Sequence, residues 1–249
     1  MLFTSSLGKP DDQPLVFLHG FLGSHLDFLP IINDLKETFF CVAVDLPAHG
    51  RSPYTKEILP SVEKLIEPFK NPILVGYSLG GRIALQLSHR LPLKGLVAIS
   101  SHIGLHSSKQ KELRVQEDLL WKKRLETFSP EEFLKLWYKQ PVFSSLQKNT
   151  NEKRTLLNSL LSQRSYTNPE ELALVLEEMS LAKQPFLDTS PCPTYFLFGK
   201  EDKKYEALYS TLPKHIERTG ISEASHALLV EDPTTCALLI KNWITSLPK

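Results

Sequence analysis

At 249 residues, 41% hydrophobic and 23% charged, the chain has the size and composition of one globular domain, with or without an insertion. A formal net charge of +1 supplies no long-range field to gather nucleic acid or an anionic membrane surface, so anion recognition would have to come from local clusters. No run approaches eighteen apolar residues, and the opening MLFTSSLGKPDDQ lacks a basic start and an apolar core, so neither a spanning helix nor a secretory leader is expected.

In chain order, the first strong element is PLVFLH (14–19), an apolar run that reads as a buried strand. A turn, HGFLGS (19–24), follows it, then a helical pattern over 25–37. FFCVAVD (39–45) is the second strand, 56–69 the next helix and PILVGY (72–77) the third strand. A helix over 80–90 leads to GLVAIS (95–100). After a long interval come the strand TYFLFG (194–199), a helix over 203–211, a weak strand HIERT (215–219) and a helix over 233–246. Near-continuous apolar strands alternating with helices predict an α/β fold whose mostly parallel sheet is flanked by helices.

The alternation stops between 103 and 187. Ser129-Pro130-Glu131-Glu132 and Asn168-Pro169-Glu170-Glu171 each place a capping residue, a proline and an acidic first turn in helix-starting order. That stretch therefore reads as an all-helical cap (103–187) inserted between strands of a core made of 1–102 and 188–249. Cys41, Cys192 and Cys236 are odd in number and form no CxxC spacing, which reads as reduced thiols of a cytoplasmic protein.

Gly76-Tyr77-Ser78-Leu79-Gly80 fits G-x-S-x-G at a strand-to-helix turn, the context in which a serine is forced into an exposed, strained position. A serine nucleophile or base needs an imidazole, and the imidazole needs a group to orient it. Asp202, just past a strand end, and His226, on the last large loop, complete a Ser, Asp, His order. Glu201 competes for the acid role, with Asp188 more distant. The backbone N–H groups of Phe21 and Leu79 are the candidate oxyanion donors. His19 reads as a brace for its loop, and His102 and His106 as loop histidines with no metal site.

Arg82 follows Ser78 by one helical turn, so both leave the same face. Arg114 and Trp121 share a face two turns apart, Trp137 and Tyr138 stand beside a proline-broken helix end, and Arg164 precedes a helix cap. An arginine near the serine and two more in the cap suggest a small polyanionic ligand under the cap.

FLHGF, VDLPAHGRS, VGYSLGG, FGKED and SHALLVEDP, in this order, resemble the α/β-hydrolase superfamily over nearly the whole chain. The N-terminal part is short, so the leading antiparallel hairpin of larger members is expected to be trimmed. VGYSLGGR, RVQEDLLW, LWYKQPVFSSL, RSYTNP, SLAKQPFL and GKEDKKYEAL are similar to the 2-succinyl-6-hydroxy-2,4-cyclohexadiene-1-carboxylate synthase family of menaquinone biosynthesis. That resemblance implies a Ser78, Asp202 and His226 triad acting as base, and substrate binding by Tyr77, Arg82, Arg114, Trp137 and Arg164. It implies an elimination from a polycarboxylate small molecule with no cofactor; a monomer or weak homo-oligomer is expected. A carboxylesterase or thioesterase acting on a small acidic acyl substrate is the alternative, and a catalytically silent binding protein a third.

Overall fold

A seven-stranded sheet runs through the computed structural model of the chain, in which residues 1–164, 168–188 and 190–248 are described. The strands are β1 (Thr4–Leu7), β2 (Pro14–Leu18), β3 (Phe40–Val44), β4 (Ile73–Tyr77), β5 (Gly95–Ile99), β6 (Thr194–Gly199) and β7 (Glu217–Ile221). They lie in the order β1-β3-β2-β4-β5-β6-β7, and only β1 against β3 is antiparallel. This is the mostly parallel, helix-flanked α/β-hydrolase architecture expected from the sequence.

The two faces follow from side-chain alternation. Leu15 and Phe17 of β2 point to one side, where they pack with α1 (Leu29–Leu35) and α10 (Pro233–Ser246) through Ile31, Ile240 and Trp243. Val16 and Leu18 point to the other, against α2 (Ile58–Ile66), α3 (Leu79–Leu87) and α8 (Lys203–Ser210) through Val62, Ile83 and Tyr209. Both faces are dry, which is why these strands are apolar at every position.

Between β5 and β6 stand α4 (Ser108–Thr127), α5 (Pro130–Trp137), α6 (Asn151–Gln163) and α7 (Pro169–Glu178), with a 3-10 stretch at Pro141–Gln147. Ser129 and Glu132 form the reciprocal capping box at the start of α5, and Asn168 accepts from Glu171 N–H at the start of α7. A further capping box, Ser107 with Gln110, starts α4 and was not read from the sequence. These helices share a hydrophobic cluster built on Leu125, Phe133, Leu146, Leu160 and Leu172, which also takes in Leu22 and Ala227 from the sheet side. The helical segment is thus seated on the edge of the sheet where those two residues emerge.

Some boundaries differ from the sequence reading. β7 lies at 217–221, two residues later than 215–219; among its residues only Ile221 is fully buried, so the apolar signal is thin. β1 was not anticipated: TSSL is mostly polar and exposed, an edge strand carried by backbone pairing. The pattern over 25–37 divides into a 3-10 turn, His25–Phe28, and α1, with Pro30 in its first turn. A one-turn helix, α9 (Leu228–Glu231), follows His226 and also went unread.

Candidate active site

Order reverses at β2, since β3 lies on one side of it and β4 on the other, and the carboxyl ends of the strands open a crevice there. Phe21 follows β2, Ser78 follows β4, Asp202 follows β6 and His226 follows β7, so four loops deliver their residues to one edge.

Ser78 has φ 50 and ψ −107, a left-handed conformation that a non-glycine residue adopts only at a cost of roughly 1–3 kcal/mol. The turn is this sharp because its neighbours have no side chains. A Cβ on Gly80 would lie 1.9 Å from the Leu18 carbonyl oxygen, and one on Gly76 would lie 2.4 Å from Gly81 Cα. With those positions empty, α3 starts directly behind the serine, and Leu79 N–H is among the first amides that a helix leaves without an internal acceptor. Phe21 and Leu79 line the same cavity as Ser78.

His226 Nε2 lies 3.0 Å from Ser78 Oγ, and its Nδ1 lies 2.8 Å from Asp202 Oδ2. Asp202 divides its oxygens: Oδ1 caps α8 by accepting from Tyr205 N–H, and Oδ2 meets the imidazole. Glu201, the competitor, turns its carboxylate to Lys148, and Asp188 is exposed. The helical segment reaches His226 directly, because its N–H donates to the Val142 carbonyl at 2.9 Å and Phe143 packs edge-on to the ring.

His19 is a brace: Leu46 N–H donates to its Nε2, and complete burial takes its pKa down to about 4. His102 and His106 are in loop, although His102 also borders the cavity. Among the described residues no group of three or more His, Cys, Asp or Glu could hold a metal ion, and no helix is long and apolar enough to cross a membrane.

A cavity of about 150 Å³ lies between the sheet edge and the helical segment. Tyr77, Arg82, Arg114, Trp137 and Arg164, the five residues expected at a ligand, all line it together with Ser78 and His226. Arg82 is buried and its bonds go to neutral acceptors, Gln184 Oε1 at 2.6 Å and the Met179 carbonyl. Burial, with Arg114 nearby, lowers its pKa to about 10. Arg114 directs Nε to Asp118 Oδ1 at 2.7 Å. Arg164 pairs with Asp27 Oδ1 at 2.5 Å and donates through Nε to Tyr138 Oη at 3.0 Å. Burial opposes the charge of Arg164, but Tyr138 and Asp27 hold its pKa above the ordinary arginine value. Trp137 packs on Phe21 and Trp121, which ties the aromatic wall of the helical segment to the turn after β2.

The sequence profile of the alpha/beta hydrolase family matches residues 15–237. The 2-succinyl-6-hydroxy-2,4-cyclohexadiene-1-carboxylate synthase of Klebsiella pneumoniae is 33% identical over 252 aligned residues, which cover 96% of each chain. The chain belongs to this synthase family. It is an enzyme of the lyase type built on the α/β-hydrolase fold. Among solved structures, MenH from S. aureus superposes with a TM-score of 0.88 at 24% identity over 97% of each chain. A thermophilic esterase from Thermogutta terrifontis, solved with malate bound, gives 0.78 at 20% identity over 100% of this chain and 94% of the esterase. At these identities both speak to the fold alone.

Several polar residues of the cavity wall escaped the sequence reading as ligand-side groups, among them Asp27, Tyr138, Gln140, Lys204 and Tyr205. Tyr138 was noted beside Trp137 without a role, and Lys204 lies in the quoted GKEDKKYEAL. Their one sequence signal is adjacency, since Tyr138 follows Trp137 and Lys204 comes two residues after Asp202. Asp27 has no such marker within HLDF. Trp121, which shares a face with Arg114, does not border the cavity; it backs Trp137 and Phe133 inside the helical cluster.

Proposed function

We propose that the chain eliminates pyruvate from 2-succinyl-5-enolpyruvyl-6-hydroxy-3-cyclohexene-1-carboxylate to give 2-succinyl-6-hydroxy-2,4-cyclohexadiene-1-carboxylate. The observation that carries this reading is a hydrogen-bonded Ser78–His226–Asp202 relay opening into a cavity bordered by three arginines. The core, 1–102 and 188–249, carries the relay, and the cap, 103–187, carries Arg114, Trp137 and Arg164.

His226 takes the proton of Ser78, and the serine oxygen removes the ring proton α to the succinyl ketone. The C–H electron pair moves into the ketone as an enolate, whose oxygen is received by the N–H groups of Phe21 and Leu79. Re-formation of the ketone shifts the ring double bond and breaks the C–O bond to the enolpyruvyl group, which leaves as pyruvate after taking up a proton. Asp202 keeps the His226 tautomer and stabilises the imidazolium. The step is redox-neutral and calls for no cofactor. The substrate carries three carboxylates, which gives the cations bordering the cavity, Arg82, Arg114 and Arg164 among them, an intelligible purpose, with Tyr77 and Trp137 closing the pocket.

The same relay would serve acyl transfer, and an aligned serine with a malate-binding esterase among the fold's neighbours keeps a carboxylesterase or thioesterase as the second reading. Pyruvate release from freshly made enolpyruvyl substrate separates them. The elimination reading predicts release far above the uncatalysed rate, lost in Ser78→Ala. Absence of release, with turnover of short-chain esters through a covalent serine adduct, supports the esterase.

A further inference from the structure

The cations around the cavity differ in what neutralises them. Arg164 is paired with Asp27 in a contact where both side chains are over nine-tenths buried, and Arg114 is turned to Asp118, whose other oxygen accepts from Ser180. Arg82 has neutral acceptors only. The fourth cation on the wall is Lys204, on the first turn of α8. Among the described residues no carboxylate lies within ion-pair reach of its ammonium. Asp202 and Glu117 act on it only from a distance, and Asp202 is already held by His226.

Its surroundings are cationic. Lys204 borders the cavity and keeps solvent-exposed surface, yet protein atoms crowd around it. That crowding, with Arg114 and more weakly Arg82, presses its pKa below the ordinary lysine value. The adjacent Lys203 behaves differently: its ammonium bonds the Lys200 carbonyl and Glu206 on an exposed face. Of two neighbouring lysines, one is satisfied outside and the other borders the cavity beside two guanidiniums. Like charges so gathered repel until an anion enters between them.

We propose that Lys204 is a further carboxylate-binding residue of this site, holding one carboxylate of the ligand jointly with Arg82 and Arg114. The cavity then has two cationic poles. One is Arg82, Arg114 and Lys204 on the Asp202 side. The other is Arg164, already countered by Asp27 and therefore suited to a hydrogen-bonding contact more than to a full carboxylate charge. The ligand class is a polycarboxylate with most of its charge on the Lys204 side. This rests on the polycarboxylate part of the proposed function and is independent of which bond is broken.

The test is calorimetric titration of the whole protein with tricarballylate, a stable tricarboxylate that cannot react. Wild type should bind it. Lys204→Met should weaken binding about tenfold, less than the loss of a fully desolvated charge pair because Lys204 keeps solvent-exposed surface, and Lys204→Arg should restore most of it. Lys203→Met should stay within about twofold, since that charge faces solvent. In pyruvate assays Lys204→Met should raise KM more than it lowers kcat. Wild-type affinity in Lys204→Met, an equal loss in Lys203→Met, or no binding to wild type at millimolar ligand would each overturn the proposal. Lys204-dependent binding without any pyruvate release would leave the carboxylate site standing and remove only the elimination.

Discussion

Ser78 and Arg164 border one cavity but are held there by different means. Ser78 is fixed by backbone: a strained turn between β4 and α3, two glycines that admit no side chain, and Ser78 N–H bonded to the Ile99 carbonyl at 2.8 Å. Arg164 is fixed by side chains, through Asp27 of the 3-10 turn after β2 and Tyr138 at the end of α5. The sheet edge therefore holds its reactive group whatever the rest of the cavity does. The cap wall holds its cation only while a buried ion pair persists. On the proposed reading, chemistry sits on the rigid edge and recognition on the paired wall, which divides precision from adjustability.

The comparison breaks most sharply at the serine. Ser78→Ala should lower kcat for pyruvate release on the order of a thousandfold or more while leaving the thermal midpoint unchanged, because it removes a hydroxyl and keeps the backbone. Arg82→Ala should reduce kcat/KM by about 2–5 kcal/mol in transition-state terms, the range for stripping one partner from a desolvated charge contact. On the cap wall the dominant effect should be on stability. Asp27→Asn should cost about 3 kcal/mol in urea unfolding by leaving Arg164 buried and unpaired, and Arg164→Met added to it should recover part of the loss. Equal effects of Asp27→Asn and Ser78→Ala on stability would erase the distinction.

Acid should weaken the edge itself. His19 and His49 are buried with folded pKa values near 4 and 3, against 6.5 when free, so burial keeps both neutral. Their folded pKa is lowered, hence the unfolded chain binds protons first as pH falls. Stability is complete above about pH 6.5 and is lost progressively below it. The thermal midpoint should drop between pH 7 and pH 5, and His19→Gln, which retains an acceptor for Leu46 N–H, should flatten that slope. The smallest effect belongs to the cap's local signals: Ser129→Ala should cost about 1 kcal/mol through the α5 capping box and leave the relay unaffected.

What could be read in the sequence follows the same division. The elbow was legible because its cause is local: glycines at fixed spacing between an apolar run and a helix. The five central strands were legible because both sheet faces are dry, whereas β1 and β7 lie at the edges, where polar residues hide the pattern. Position and resemblance favoured Asp202, but Glu201 stayed a competitor because the difference is one of direction; Asp202 bonds His226 while Lys148 draws Glu201 away. Asp27 was invisible because its partner is 137 residues distant in the chain. Arg164 was placed from downstream resemblance, and no local pattern would have suggested that a carboxylate already occupies it.

The most direct test of the account is pyruvate release from substrate carrying deuterium at the ring carbon α to the succinyl ketone. If the Ser78 oxygen removes that proton, deuteration slows single-turnover release in the wild-type protein, and mass spectra taken during turnover find the serine unmodified. Release at an unchanged rate, or an acylated Ser78, would contradict base-driven elimination at this site.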